Sequence, residues 1–142
     1  MTIKRVSPKE AFELMQNDGY VYVDVRSIPE FDMGHATGAF NVPLMHMGAQ
    51  GMEPNADFLS VMKKAFPQDK KLVVGCQAGG RSLRAAQLLI DAGFTNVIDQ
   101  RAGWKGQSDP FGRVTEKGWS GEGLPTSTSP EAGRDYAGLS KS

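Results

Sequence analysis

Three short runs dense in β-branched and aromatic residues constrain this chain more than any other feature: YVYVDV (20–25), KLVVG (71–75) and NVID (96–99). Each is too short for an independent helix and reads as a buried strand. Between them lie stretches whose apolar residues recur at helical spacing. NADFLSVMKKAF (55–66) is one, with Asn55 as its candidate cap; SLRAAQLLIDAG (82–93) is another, ended by Gly93. A further helix follows TIKRV (2–6), itself a short strand. Ser7 takes the N-cap place, Pro8 the first helical position and Glu10 the capping-box position, and Ala11, Leu14 and Met15 supply the stripe. IPEFDMGH (28–35) reads as a short helix or turn closed by Gly34, and AFNVP (39–43) as another strand. Strands alternating with helices predict an α/β layer fold with a mainly parallel sheet.

Three segments break the rhythm. Residues 45–54 read as a Met- and Gly-rich loop. Residues 100–125, QRAGWKGQSDPFGRVTEKGWSGEGLP, hold both tryptophans and predict an irregular excursion. Residues 126–142, TSTSPEAGRDYAGLSKS, offer only Tyr136 and Leu139 as bulky apolar anchors. They predict a loose Ser/Thr/Gly-rich tail beyond a domain of residues 1–125.

Composition removes several function classes. The 142 residues suit one domain with a real core. Sixteen basic residues balance sixteen acidic ones, which argues against nucleic acid or an anionic membrane as the main partner. No apolar stretch approaches the roughly 20 residues of a membrane span, and MTIKRVSPKEAF has no signal-peptide core. One cysteine cannot form an internal disulfide, which fits a reducing cytoplasm. Two histidines and one cysteine are too few for an ordinary structural zinc site. The expectation is a cytoplasmic monomer whose chemistry needs no metal or cofactor.

That lone cysteine, Cys76, ends the strand KLVVG. Ligands in α/β sheets collect at the carboxyl ends of strands. Gln77, Ala78, Gly79 and Gly80 have little bulk, so the loop can curl and turn its amide N–H groups inward. The helix beginning near Ser82 adds the positive end of its dipole, and Arg81 brings a permanent charge with a planar donor fork. All three favour an anion at the sulfur, the nucleophilic form of a thiol. The bland alternative is a small apolar residue packed at a strand end, but glycines and an arginine would then have no reason to surround it.

Spacing separates chemistries. Cys76 to Arg81 is C-x4-R, whereas cysteine phosphatases use C-x5-R, a wider loop that seats a tetrahedral phosphate. The tighter loop suits a smaller anion, and a persulfide sulfur carried on the cysteine fits, cradled by amides as an oxyanion is elsewhere.

At this point the sequence resembles the rhodanese sulfurtransferases. CQAGGRS (76–82) is similar to their active loop, C-x-x-G-x-R-S in many single-domain members. VDVRSIPEFDMGHATGAFNVP (23–43) is similar to D-V-R-x-x-x-E-[FY]-x-x-G-H-[IA]-x-G-A-x-N-[IV]-P, and GWSGEGLP (118–125) resembles the closing W-x-x-x-G-L-P. Together these span about residues 3–125. The resemblance implies a three-layer fold with a five-stranded sheet between helices. It also implies a ping-pong transfer: Cys76 takes the outer sulfur of thiosulfate, sulfite leaves, and cyanide or another thiol accepts the sulfur. Gln77, Ala78, Gly79, Gly80, Arg81 and Ser82 would bind the donor, with Arg81 favouring thiosulfate over mercaptopyruvate. Two departures stand out. Gln77 replaces the Arg or Lys frequent in two-domain enzymes, though Arg84 lies one turn into the helix. A Gly-Gly pair is reduced to Ala102-Gly103, with about 15 residues, 104–118, inserted before Trp119.

Other residues carry smaller expectations. Asp24 and Arg26 leave a central strand near Cys76 and are expected to buttress the loop or the Glu30 region as an ion pair. His35 is expected to be structural. Trp104 and Phe111 are candidates for the pocket mouth, with a surface loop pinned by two aromatics as the plainer alternative. Met45, Met47 and Met52 read as core filling or a soft lid; no partner is evident for His46, and Lys63, Lys64, Lys70 and Lys71 read as a solvated face. Three alternatives to a thiosulfate enzyme remain at this level: a persulfide carrier loaded by a partner protein, a phosphatase or arsenate reductase on the same fold, and a non-catalytic interaction module.

Overall fold

The computed structural model of the chain describes residues 3–78, 80–129, 131 and 133–141. Along the chain run β1 (Arg5–Val6), α1 (Pro8–Asn17), β2 (Val21–Asp24), α2 (Ile28–Met33), β3 (His35–Ala36) and β4 (Phe40–Asn41). There follow β5 (Met45–Gly48), β6 (Gly51–Pro54), α3 (Phe58–Ala65), β7 (Leu72–Gly75), α4 (Gly80–Asp91) and β8 (Val97–Gln100). The last elements are β9 (Gly106–Ser108), β10 (Val114–Lys117), β11 (Thr126–Ser127) and α5 (Tyr136–Ser140).

The three apolar runs seen in the sequence become the middle of one sheet. Its order is β1-β8-β7-β2-β4, and every neighbouring pair is parallel. Side chains alternate across a strand, so this sheet feeds two cores. Val23, Leu72 and Val74 pack with Phe58, Val61 and Met62 of α3 and with Ala85, Ala86 and Leu89 of α4. Tyr22, Val73 and Ile98 pack on the other face with Ala11, Phe31 and Trp119. A three-layer α/β fold results.

Local chemistry sets the helix starts. The Ser7 hydroxyl accepts from the Glu10 N–H at 3.1 Å, and Glu10 accepts from the Ser7 N–H at 3.0 Å, closing the expected capping box. The N-cap is Asp57 rather than the expected Asn55, which lies two residues before it: the Asn55 side chain accepts from the Asp57 N–H at 3.0 Å, and the helix begins at Phe58.

The three segments that read as loops are more ordered than composition implies. Residues 45–54 form an antiparallel hairpin, with Met45 opposite Pro54 and Met47 opposite Met52. Methionine and glycine carry weak strand preference, so pairing rather than propensity makes this element. The 100–125 stretch contains a second hairpin, β9–β10. Its turn is built by Asp109, whose carboxylate accepts from the N–H groups of Phe111 and Arg113, both at 2.9 Å. The C-terminal segment is docked. Thr126 and Ser127 pair with Ala36 and His35, the Asn41 N–H donates to the Arg134 carbonyl at 2.9 Å, and Leu139 joins the core beside α3 at 9 % exposure. Two apolar anchors suffice because the segment also satisfies backbone groups along exposed strand edges.

Leu139→Ala is therefore expected to destabilise the protein by about 2 kcal/mol, the low end for deleting a buried leucine side chain. Urea denaturation of the two proteins checks this; equal midpoints would show that the segment contributes nothing.

Candidate active site

Cys76 is fixed by the alternation of β7. Val74 points to the α3–α4 core, and two residues on Cys76 points the same way, 2 % exposed and part of the same buried cluster. Helix α4 begins at Gly80, so only residues 76–79 separate the strand end from the helix N-terminus. Gly79 lies outside the described residues. Gly80, Arg81 and Ser82 form the first turn of α4, where backbone N–H groups have no intrahelical partner. Ser82 is fully buried and hydrogen-bonds Asp99 of β8. Burial pushes the Asp99 carboxyl up, partly offset by Ser82 and Arg5.

The loop is gripped from behind through its carbonyl groups. The Trp104 N–H donates to the Cys76 carbonyl at 2.7 Å and the Lys105 N–H to the Gln77 carbonyl at 2.9 Å. A longer contact, 3.5 Å, runs from Gln107 Nε2 to the Ala78 carbonyl. In a trans peptide the C=O and the next N–H point in opposite directions. The N–H groups of Gln77 and Ala78 therefore face away from the 104–105 turn. This close approach requires Gly103: its φ is +68°, and a Cβ there would lie 2.5 Å from the Cys76 carbonyl oxygen.

Gln100 shapes that turn from inside the fold. Its side-chain Oε1 accepts from the N–H groups of Ala102 and Gly103, both at 2.8 Å, and its Nε2 donates to the Gly103 carbonyl at 2.9 Å and to the Tyr22 hydroxyl at 3.1 Å. Tyr22 in turn occupies the space where a Cβ on Gly75 would sit. Burial, followed by the nearby Asp24 charge, pushes the Tyr22 phenol well above its ordinary pKa, so it remains neutral.

Asp24 and Arg26 form a buried pair, 3 % and 2 % exposed. Arg26 Nη2 and Nε donate to the Asp24 carboxylate at 2.7 and 3.0 Å. The same guanidinium donates to the Gly34 carbonyl at 2.6 Å and to Gln77 Oε1 at 3.3 Å, and its carbon lies 5.0 Å from the centre of the Trp104 ring. The pair thus reaches both the active loop and the end of α2.

Arg81 does not stand alone at the rim. Its Nη1 and Nη2 donate to Glu30 at 2.7 and 2.9 Å, a bidentate fork. Burial works to raise the Glu30 pKa, but Arg81 together with the N–H and hydroxyl of Ser27 outweighs it, leaving the carboxyl at about 2. Spacing alone could not show this partnership, although Glu30 and Arg81 both fall inside the quoted motifs. The sequence likewise does not mark Gln100 and Gly103 as a supporting turn; its one signal is the reduced glycine pair.

The remaining residues separate. Trp104 lies beneath Arg26 and against Gly34, while Phe111 stands at the hairpin tip, 88 % exposed. His35 stacks on Phe31 with ring centres 3.7 Å apart and contacts the Phe31 carbonyl at 2.7 Å. His46 meets the Tyr136 ring. Met45 packs at the core edge, whereas Met47 is 63 % exposed. Arg84 borders an apolar groove of about 200 Å³ between α4, α3 and the β5–β6 hairpin.

Residues 7–109 match the family described as Rhodanese-like domain. The chain is 44 % identical over 108 residues to thiosulfate sulfurtransferase 16, chloroplastic, of Arabidopsis thaliana, covering 76 % of this chain and 80 % of that protein. It is 40 % identical over 99 residues to senescence-associated protein DIN1 of Raphanus sativus, spanning 70 % of this chain and 54 % of the relative. The crystal structure of Rv0390 from M. tuberculosis is similar with a TM-score of 0.75 at 26 % identity, covering 91 % of this chain and 100 % of that one. Matched over most of its length in sequence and in fold, the chain belongs to the rhodanese-like domain family.

Proposed function

We propose that the protein is a sulfurtransferase that moves a sulfane sulfur from thiosulfate to cyanide or a thiol through a persulfide on Cys76. The observation that carries this reading is the placement of the only thiol: it ends the central strand, inside a loop whose carbonyls are held outward and whose far end starts a helix. The Cys76 thiolate attacks the outer sulfur of thiosulfate. The sulfur–sulfur bond of the donor breaks, and its electron pair leaves with sulfite. The N–H groups of Gln77 and Ala78 and the first turn of α4 stabilise the charge on the terminal sulfur of the persulfide. An acceptor nucleophile then attacks that sulfur, and the electron pair of the cysteine–sulfur bond returns to Cys76. No general base is required, because the leaving group is a stable anion.

Intact mass should show one added sulfur atom after thiosulfate treatment, removed again by cyanide. Cys76→Ser should show neither the gain nor turnover; a variant that still turns over thiosulfate near the wild-type rate would remove Cys76 from the mechanism.

The Arg81–Glu30 fork shapes donor binding. A dianionic donor competes with Glu30 for the same guanidinium, so Glu30→Gln is expected to lower the KM for thiosulfate. Arg81→Ala should raise it about tenfold, consistent with about 1.5 kcal/mol for a hydrogen bond to a charged group. Steady-state kinetics on both variants decides this; an unchanged KM in Arg81→Ala would leave the arginine with a packing role only.

The same fork has a stability signature. The Glu30 carboxyl is depressed from 4.5 to about 2, so its contribution is present above pH 4.5 and lost as pH falls through about 2. The melting-temperature gap between wild type and Glu30→Gln should therefore narrow from pH 5 downward; a constant gap would show that the ionised carboxylate is not what stabilises the pair.

A further inference from the structure

The β9–β10 hairpin is joined to the active loop yet takes no part in the chemistry derived above. Its base begins at Lys105 and Gln107, two of the residues that hold the carbonyls of Gln77 and Ala78. A shallow pocket lined by Ala78, Lys105, Gly106, Gln107 and Ser108 lies where loop and hairpin meet. Its tip is a defined turn. Besides the two N–H groups held by the Asp109 carboxylate, the Asp109 N–H donates to the Arg113 carbonyl at 2.8 Å and the Gly112 N–H to the Asp109 carbonyl at 3.0 Å.

That ordered turn presents Phe111 at 88 % exposure, with Val114, three residues on at the start of β10, at 62 %. Isolated exposed apolar residues are ordinary. A phenylalanine held out by a turn that uses a carboxylate for the purpose is a different feature, since aromatic anchors dominate protein recognition surfaces. The surrounding charge is also one-sided. Glu116 is occupied by Arg101 at 2.8 Å, and Asp109 is spent on the turn. Lys105, Arg113 and Lys117 are exposed, and no ion pair of theirs is found among the described residues.

We infer that the hairpin is a docking arm for a protein sulfur acceptor: an acidic segment that carries the recipient thiol and packs apolar side chains on Phe111 and Val114. This rests on sulfur transfer through Cys76 as the underlying activity. Reach selects a protein over a small thiol. Strand β9 extends from Gly106 to Ser108, about 7 Å at about 3.3 Å per residue, and the Asp109 turn carries Phe111 beyond its end. A small thiol cannot touch the active loop and the tip together, whereas an extended peptide segment can. Charge complementarity selects an acidic one, and steering by such cations acts mainly on the rate of encounter.

The test uses the thiosulfate-loaded protein and two short cysteine peptides containing leucines, one rich in Asp and Glu and the other with Lys in their place. Loss of the added sulfur is followed by intact mass, with cyanide as a small acceptor for comparison. Docking predicts that the acidic peptide accepts faster than the basic one and that added salt erodes the difference. Phe111→Ala, and separately Arg113→Glu with Lys117→Glu, should each reduce transfer to the acidic peptide about tenfold, the effect of losing one anchor. Discharge to cyanide and the melting temperature should stay unchanged. Equal rates for the two peptides, or hairpin variants as fast as wild type, overturn the proposal. If thiosulfate loads no sulfur, the assignment of thiosulfate as donor fails, separately from the docking proposal. Docking is then read on Cys76→Ser by fluorescence anisotropy of the labelled acidic peptide, with the same hairpin variants: tight binding lost in the variants sustains it, and binding indifferent to them overturns it.

Discussion

One guanidinium ties the site to the fold. Arg26 meets the exit of β2 through Asp24, the end of α2 through the Gly34 carbonyl, the active loop through Gln77 and the supporting turn through the Trp104 ring. A buried ion pair is an uncertain source of stability in general, but removing one partner from such a pair commonly costs about 3–5 kcal/mol. The same four contacts also determine geometry: among the described residues, no other side chain is seen to join β2, the end of α2, the active loop and the Trp104 turn. Asn41 adds a second level, donating to the carbonyls of both Asp24 and Arg26 at 3.0 Å. The D-V-R and N-V-P portions of the upstream motif are therefore halves of one buried polar network, in which the Asn41 amide donates twice while its side-chain oxygen finds no partner among the described residues.

Around this anchor the site divides into a rigid back and an electrostatic front. Tyr22, Gly75, Gln100 and Gly103 form the back: a neutral phenol, two positions without side chains and a fully buried carboxamide that together let one turn lie against the active loop. The front is the Arg81–Glu30 fork, partly exposed and paired without a substrate. Its charges are balanced at rest, so an anionic donor of the kind proposed would gain the arginine only by displacing the glutamate. The strength of such binding would be a difference between two ion pairs rather than the full value of one.

The layer order and the location of the thiol were legible in the sequence because both follow from short-range rules. Strand runs with β-branched residues, a capping box at Ser7 and Glu10, and a cysteine at a strand end all announce themselves within a few positions. What escaped were pairings between distant residues. Met45–Pro54 carries little strand propensity, and its hairpin exists because two weak strands find each other. Leu139 and Tyr136 look too few to order a tail until the open edge at Asn41 and the core beside α3 are known. The Glu30–Arg81 fork bridges 51 positions, and nothing in either residue's neighbourhood names the other. Trp104 was expected at a mouth or on a surface loop; it became the floor beneath Arg26, because the glycine before it brings the backbone against the active loop.

The manner in which the active loop is gripped has a consequence for how such a site can change over generations. Two of the three contacts from behind end on carbonyl oxygens and begin on backbone N–H groups, and the third also ends on a carbonyl. Every residue type possesses that oxygen. Residue 78 can therefore be exchanged by mutation without loosening the hold on the backbone that positions the thiol, whereas exchange of Gln77 also gives up its contact with Arg26. Inheritance can explore new side chains at position 78 while Cys76 stays where it is, a separation of what is kept from what may vary.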